Sequence, residues 1–273
     1  MALGSLVSIA ASTFNRVMVV ELSLLQIIPG LLLALHYFIQ ISRPNWGFLS
    51  DKGGNRTFWI IIGVIILCLG SILACIGILL IPENYLFGLT ISIFAYILIG
   101  IGVGASGTSL LAFLATRTDN SKKAAAATIT WIMMIFGAAF TAIFVGKIID
   151  PYSIEKLLKI VTVISLFWII TSFITLYKLE STHKQKVLHR FEPVSITFYQ
   201  GLKQVLLEQN TRWFTIFVFL SMTAYFMQEP ILEPYAGIIF KFSVGESTQL
   251  TGYHQSGILL GMILVGFFVT GIK

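Results

Sequence analysis

Apolar residues run in long blocks along this chain, and charged positions are confined to the short stretches between them. Residues 58–81, 84–116, 124–146, 160–177 and 247–272 contain no Asp, Glu, Lys or Arg. Two further apolar runs lie upstream at 2–20 and 24–41, and one at 213–240 carries Glu229 and Glu233. A helix needs about 20 apolar residues to cross a hydrocarbon layer of about 30 Å, advancing about 1.5 Å per residue. The pattern therefore predicts eight spans. Helices satisfy their own backbone hydrogen bonds in lipid, whereas separate strands leave an unpaired edge, so the expected class is an all-α integral membrane protein.

Composition agrees with that reading. Of 273 residues only 11% are charged, against about 25% in an ordinary globular protein, and 56% are hydrophobic. The net charge of +6 does not point to nucleic acid, because the basic residues fall between the apolar runs. Cys68 and Cys75 sit in one apolar run, with neither a disulfide framework nor metal-site spacing. No nucleophile-plus-base pattern or phosphate-binding loop appears, so neither covalent catalysis nor ATP-driven transport is expected. The first run opens at Met1 without the basic leader of a signal peptide, so it reads as a retained helix with a few residues expected to be missing ahead of it.

If the runs alternate across a membrane, the basic residues divide unevenly. Arg43, Lys52, Arg56, Arg117, Lys122, Lys123, Lys178, Lys184, Lys186, Arg190, Lys203, Arg212 and Lys273 share one side. Lys147, Lys156, Lys159 and Lys241 take the other, and Arg16 stays within the first run. The positive-inside rule places the richer side, and both termini, in the cytoplasm. The polar, basic stretch 178–212 reads as a cytoplasmic linker between a six-helix half, 1–177, and the first two helices of a second half, 213–273. Within it Phe198, Leu202, Val205 and Leu206 repeat at helical spacing, which suits a short amphipathic helix on the membrane surface or an ordinary linker helix. Six spans, a basic loop and new spans is the layout of transporters made of two parallel repeats.

Residues 47–56, Gly-Phe-Leu-Ser-Asp-Lys-Gly-Gly-Asn-Arg, follow the second run. They resemble motif A of the major facilitator superfamily, with Gly47, Asp51, Lys52, Gly54 and Arg56 at its spacings. Gly47 would let two helices approach, Asp51 would attract a helix N-terminus, and Gly54 would permit the tight turn. The resemblance implies a helical bundle of that superfamily, in which these eight spans are part of an expected twelve.

Three other segments carry a narrower resemblance. Residues 15–22 (Asn-Arg-Val-Met-Val-Val-Glu-Leu), the glycine-rich 100–116 and residues 228–235 (Gln-Glu-Pro-Ile-Leu-Glu-Pro-Tyr) look like the PucC/LhaA bacteriochlorophyll-delivery branch. The fourth span and Trp131-Ile132-Met133-Met134 look most like its cyanobacterial members, with Gly104 or a neighbour where many purple bacterial sequences carry a histidine. The resemblance implies a protein of the bacterial inner or thylakoid membrane that handles chlorophyll or a bacteriochlorophyll-like tetrapyrrole, with light-harvesting or photosystem apoproteins as partners. Gly100, Gly102 and Gly104 also alternate as in a dinucleotide fingerprint, but no strand or ribose-binding acid frames them. Close helix packing is the better reading.

Ionisable residues at membrane depth are costly and usually turn inward. Arg16, Glu21, Glu229 and Glu233 are therefore candidates, with Asn15, Gln228 and His36 beside them, to bind a pigment headgroup, protonate or gate a cavity. The alternative is that the first and seventh helices end there in interfacial water. Arg16 and Glu21 are five apart, about 140° around an α-helix, so each is expected to pair across to the other repeat. Pro230 and Pro234 each free a carbonyl one turn earlier, so the helix is expected to kink or unwind. His36 and His254 offer imidazoles for a chlorophyll magnesium or for hydrogen bonds to a neighbouring helix; Asn15 offers packing, capping or pigment contact. Three functions remain in view: pigment delivery, proton-coupled transport of a small solute through Glu229 and Glu233, and a pigment-free assembly scaffold.

Overall fold

The computed structural model describes residues 1–52, 55–177, 203 and 207–270, without the side chains of 51, 52, 120 and 266–270. Among them there is no strand. The helices are α1 (Ala2–Glu21), α2 (Ile27–Ile39), α3 (Arg43–Lys52), α4 (Arg56–Leu80), α5 (Tyr85–Arg117), α6 (Lys123–Ile149), α7 (Ile154–Leu176), α8 (Gln209–Ile239) and α9 (Val244–Thr270). The linker at 178–202, the helical spacing at Phe198, Leu202, Val205 and Leu206, and Gly54 lie outside the described residues.

The chain is an all-α membrane protein. Among the described residues six helices, α1 and α4 to α8, are long and apolar enough to cross a membrane. Of the other two expected spans, one departs from the prediction. α2 is 13 residues long and passes through a 3-10 turn, Gln40–Ser42, directly into α3. α9, with 27 residues, has the expected length, and its side chains at 266–270 lie outside the described residues.

α1 is the axis of the bundle. It is buried along most of its length and touches α2, α4, α5, α6, α8 and α9. Its winding alternates: α over Ala2–Ser8, π over Ile9–Thr13, α over Phe14–Arg16, π over Val17–Glu21. Two neighbouring helices bond to it at depth. Thr141 on α6 donates to Ser5 Oγ at 2.7 Å, and Tyr96 on α5 donates to the Ala10 carbonyl at 2.9 Å.

Glycines set how closely the other helices approach. Gly63, Gly70 and Gly77 on α4 are seven apart, two turns, and face α5. A Cβ on Gly63 would meet Ser106 N at 2.5 Å, and one on Gly102 would meet Leu67 N at 2.5 Å. The alternating glycines of α5 serve three neighbours: Gly102 faces α4, Gly100 lies against the His36 carbonyl of α2, and Gly104 lies against Trp46 of α3. Close packing is thus their use, as small residues are used between membrane helices. Cys68 and Cys75 are buried and free.

Motif A is partly described. Gly47 faces α5, but a Cβ there would stand 3.4 Å from Thr108 Cγ2, an ordinary contact, so the close approach expected of it is not required. Arg56 reaches the last turn of α5, donating to the Ala112 carbonyl at 2.9 Å and to Thr116 Oγ1. A cation there offsets the negative end of the helix.

Candidate functional site

The buried Arg and Glu side chains of the described residues lie where α1, α8 and α9 meet. Arg16 is 2% exposed and Glu233 is 0% exposed. Arg16 Nη1 donates to Glu21 Oε1 at 2.5 Å, and Nη2 donates to the Phe242 carbonyl, between α8 and α9, at 2.9 Å. The guanidinium lies over Gly237, one turn beyond Glu233, where a Cβ would stand 3.3 Å from Arg16 Nε.

The pairing corrects the sequence expectation. Arg16 takes its ion-pair partner from its own helix, and it is the one ion pair described. The 140° separation holds for α winding, but residues Val17–Glu21 are π-helical and Leu22 N–H bonds to the Val17 carbonyl at 3.1 Å. In an i→i+5 turn residue i+5 returns close to the face of residue i. Toward the α8–α9 connection Arg16 offers a backbone hydrogen bond in place of the expected salt bridge.

Asn15 acts on the prolines. Pro234 has no N–H to give to the Pro230 carbonyl four residues back, and Asn15 Nδ2 donates to that carbonyl instead. The helix therefore continues through both prolines to Ile239 rather than unwinding. Of the expected alternatives for Asn15, this geometry is a cap placed mid-helix.

The remaining candidates are spread out. Glu21 and Gln228 are exposed, and Glu229 is half-buried one turn before Glu233. Gln228 Nε2 donates to His254 Nε2 of α9 at 3.3 Å. His36 is buried against α5, and its Nε2 accepts from Gln40 Nε2 at 2.9 Å while Gln40 Oε1 accepts from Arg43. Tyr152, between α6 and α7 and outside the spans, lies near Glu21: burial first, and the Glu21 charge second, hold its phenol above its ordinary value.

Several residues were not anticipated. Thr248 on α9 points at Glu233 Oε2 from 3.4 Å and lies 3.4 Å from Thr13 Oγ1 of α1. Thr251 and the Arg16 guanidinium also face the Glu233 carboxyl. Thr248, Thr251 and Gln255, at i, i+3 and i+7, form one buried polar face of α9. Ser243 and Glu246 form a capping box at the start of α9: Glu246 N–H bonds to Ser243 Oγ at 3.1 Å, and Ser243 N–H to Glu246 Oε2 at 2.8 Å. The Ser-x-x-Glu pattern was legible beforehand. Asp150, after α6, accepts from Ser243 Oγ at 2.6 Å and from Gly245 N–H at 3.1 Å.

This site falls within the stretch that comparison with known proteins recognises: residues 13–273 match the family described as PUCC protein. The chain belongs to the PUCC family. It is 48% identical, over its whole length, to the Bacteriochlorophyll synthase 44.5 kDa chain of Rhodobacter capsulatus, of which it covers 63%. It is 25% identical to Protein PucC of Cereibacter sphaeroides over 97% of this chain and 60% of that protein. Protein PucC of Rhodobacter capsulatus is 23% identical over 94% of this chain and 59% of its own length. The chain thus spans about three-fifths of the length of these curated relatives.

Proposed function

We propose that this chain is a multi-pass membrane carrier or assembly factor that delivers a chlorophyll-type pigment to light-harvesting or photosystem apoproteins. Family membership and the pigment in one relative's name support the class of cargo. One observation carries the role of this chain's own residues: Arg16 Nε and Glu233 Oε1 are buried without hydrogen-bond partners between α1, α8 and α9. Buried polar atoms are usually satisfied, so a group entering this seam would find a donor and an acceptor free. We read the chain as non-catalytic, as having the architecture of the major facilitator superfamily with a nearer likeness to cyanobacterial members, and as keeping both termini in the cytoplasm. The halves 1–177 and 213–273, joined by the linker 178–212, belong to the same proposal.

The fit to a tetrapyrrole rests on the seam's chemistry. A macrocycle carries carbonyl or carboxyl substituents that would accept from Arg16 Nε or, as a carboxylic acid, donate to Glu233 Oε1, while the apolar helix faces take its ring and tail. The test is the absorption spectrum of the detergent-solubilised protein. Pigment should co-purify and be lost in Arg16→Met and Glu233→Gln. Capture of apoproteins with no pigment at any stage would replace the carrier by a scaffold. The second reading, proton-coupled transport, is favoured by the complete burial of Glu233; proton-coupled uptake by reconstituted vesicles would establish it.

A further inference from the structure

The seam contains oxygens whose spacing is unusual for hydrogen bonding. Thr13 Oγ1 and Thr248 Oγ1 are 3.4 Å apart, and Thr248 Oγ1 and Glu233 Oε2 are again 3.4 Å apart. Good O–H···O hydrogen bonds are about 2.7–2.8 Å. Thr251 Oγ1, one turn from Thr248 on the same face of α9, is buried facing the Glu233 carboxyl, yet neither it nor Glu233 Oε1 completes a well-formed hydrogen bond. Oxygens ligating a hard cation at about 2.4 Å stand roughly 3.4 Å apart along the edges of an octahedron.

Charge points the same way. Glu233 is fully buried, and the nearby cation, Arg16, is already paired with Glu21. Glu229, the other ionisable group on that side of α8, adds negative charge. A buried carboxylate in this position needs a compensating positive charge. With a single fully buried carboxylate and otherwise hydroxyl oxygens, the set suits a monovalent ion better than a divalent one. Sodium has nearly the radius of calcium, and potassium would need wider edges.

We propose that Glu233, Thr13, Thr248 and Thr251 form a binding site for sodium between α1, α8 and α9. The carboxylate supplies the charge and the three hydroxyls supply neutral oxygens from two further helices, so the ion ties α1 and α9 to α8. Arg16 lies one turn beyond Glu233, and its two terminal nitrogens are engaged by Glu21 and the Phe242 carbonyl. The site rests on this geometry and not on the pigment reading, so a missing sodium response would leave pigment co-purification as an independent test of delivery.

The experiment measures thermal unfolding of the detergent-solubilised chain in sodium, potassium or choline chloride at equal ionic strength and fixed pH. A ligand that binds the folded state raises the midpoint saturably. The expected result is a saturable rise with sodium, a weak one with potassium and none with choline. Thr248→Val should raise the half-saturating sodium concentration about tenfold or more, Thr248→Ser should retain the response, and Glu233→Gln should abolish it. Should Glu233→Gln fail to fold, Thr248→Val and Thr251→Val carry the test. Equal responses to all three salts, or a sodium response unchanged in these variants, would overturn the proposal. So would a midpoint that follows pH and ignores sodium, since a proton would then be the only compensating charge.

Discussion

Arg16 and Glu21 stand five residues apart on one helix and pair at 2.5 Å, a spacing that α winding separates and a π turn brings together. The pair is unequal. Arg16 is buried, whereas the Glu21 side chain is 36% exposed. Glu21→Gln removes a charge that solvent already screens and keeps an oxygen able to accept from the guanidinium, so it should lower stability by about 1 kcal/mol. Arg16→Met also orphans the Phe242 carbonyl and should cost about 1–3 kcal/mol. Thermal unfolding of both variants in one detergent checks the order; equal losses would contradict it.

Asn15 and Pro234 should be coupled. Asn15→Ala leaves the Pro230 carbonyl without the partner it has here and should cost about 1–3 kcal/mol. Pro234→Ala restores a backbone N–H able to bond that carbonyl within the helix. In a double-mutant cycle, Asn15→Ala should therefore be much milder on the Pro234→Ala background. Additive losses would show that Asn15 acts in some other way.

The α4–α5 contact should not tolerate a methyl group. Gly102→Ala drives a Cβ to 2.5 Å from Leu67 N and 2.7 Å from the Gly63 carbonyl, backbone atoms that cannot swing aside. Overpacking of this kind costs about 1–3 kcal/mol. Gly257→Ala, where nothing lies within 4 Å, should change the unfolding midpoint little.

Asp150 joins the end of α6 to the start of α9 through Ser243 Oγ and Gly245 N–H. Asp150→Ala should cost about 0.5–2 kcal/mol, the range for loss of a helix cap. It should also speed backbone hydrogen exchange at Gly245 and Glu246 more than in the middle of α6. Uniform exchange along both helices would argue against a local anchor.

The long uncharged runs determine by themselves that this is a helical membrane protein, because lipid admits few other ways to satisfy the backbone. They also mark Arg16, Glu21, Glu229 and Glu233 as candidates to turn inward, of which Arg16 and Glu233 are buried, Glu229 is half-buried and Glu21 is exposed. The glycines of α5 announce close packing, although not that Gly100, Gly102 and Gly104 face three different helices. Partners were decided only by the tertiary structure. Whether Arg16 meets Glu21 depends on a π turn, and no residue type in Val17–Glu21 announces one. Which donor serves the carbonyl freed by Pro234 depends on how α1 lies against α8, 215 residues away in sequence. The oxygens around Glu233 come from α1, α8 and α9. The cost of burying a charge is a property of the residue and the solvent, so it is legible in a sequence. The partner that offsets the cost is a matter of helix winding and packing, which exist only once the chain has folded.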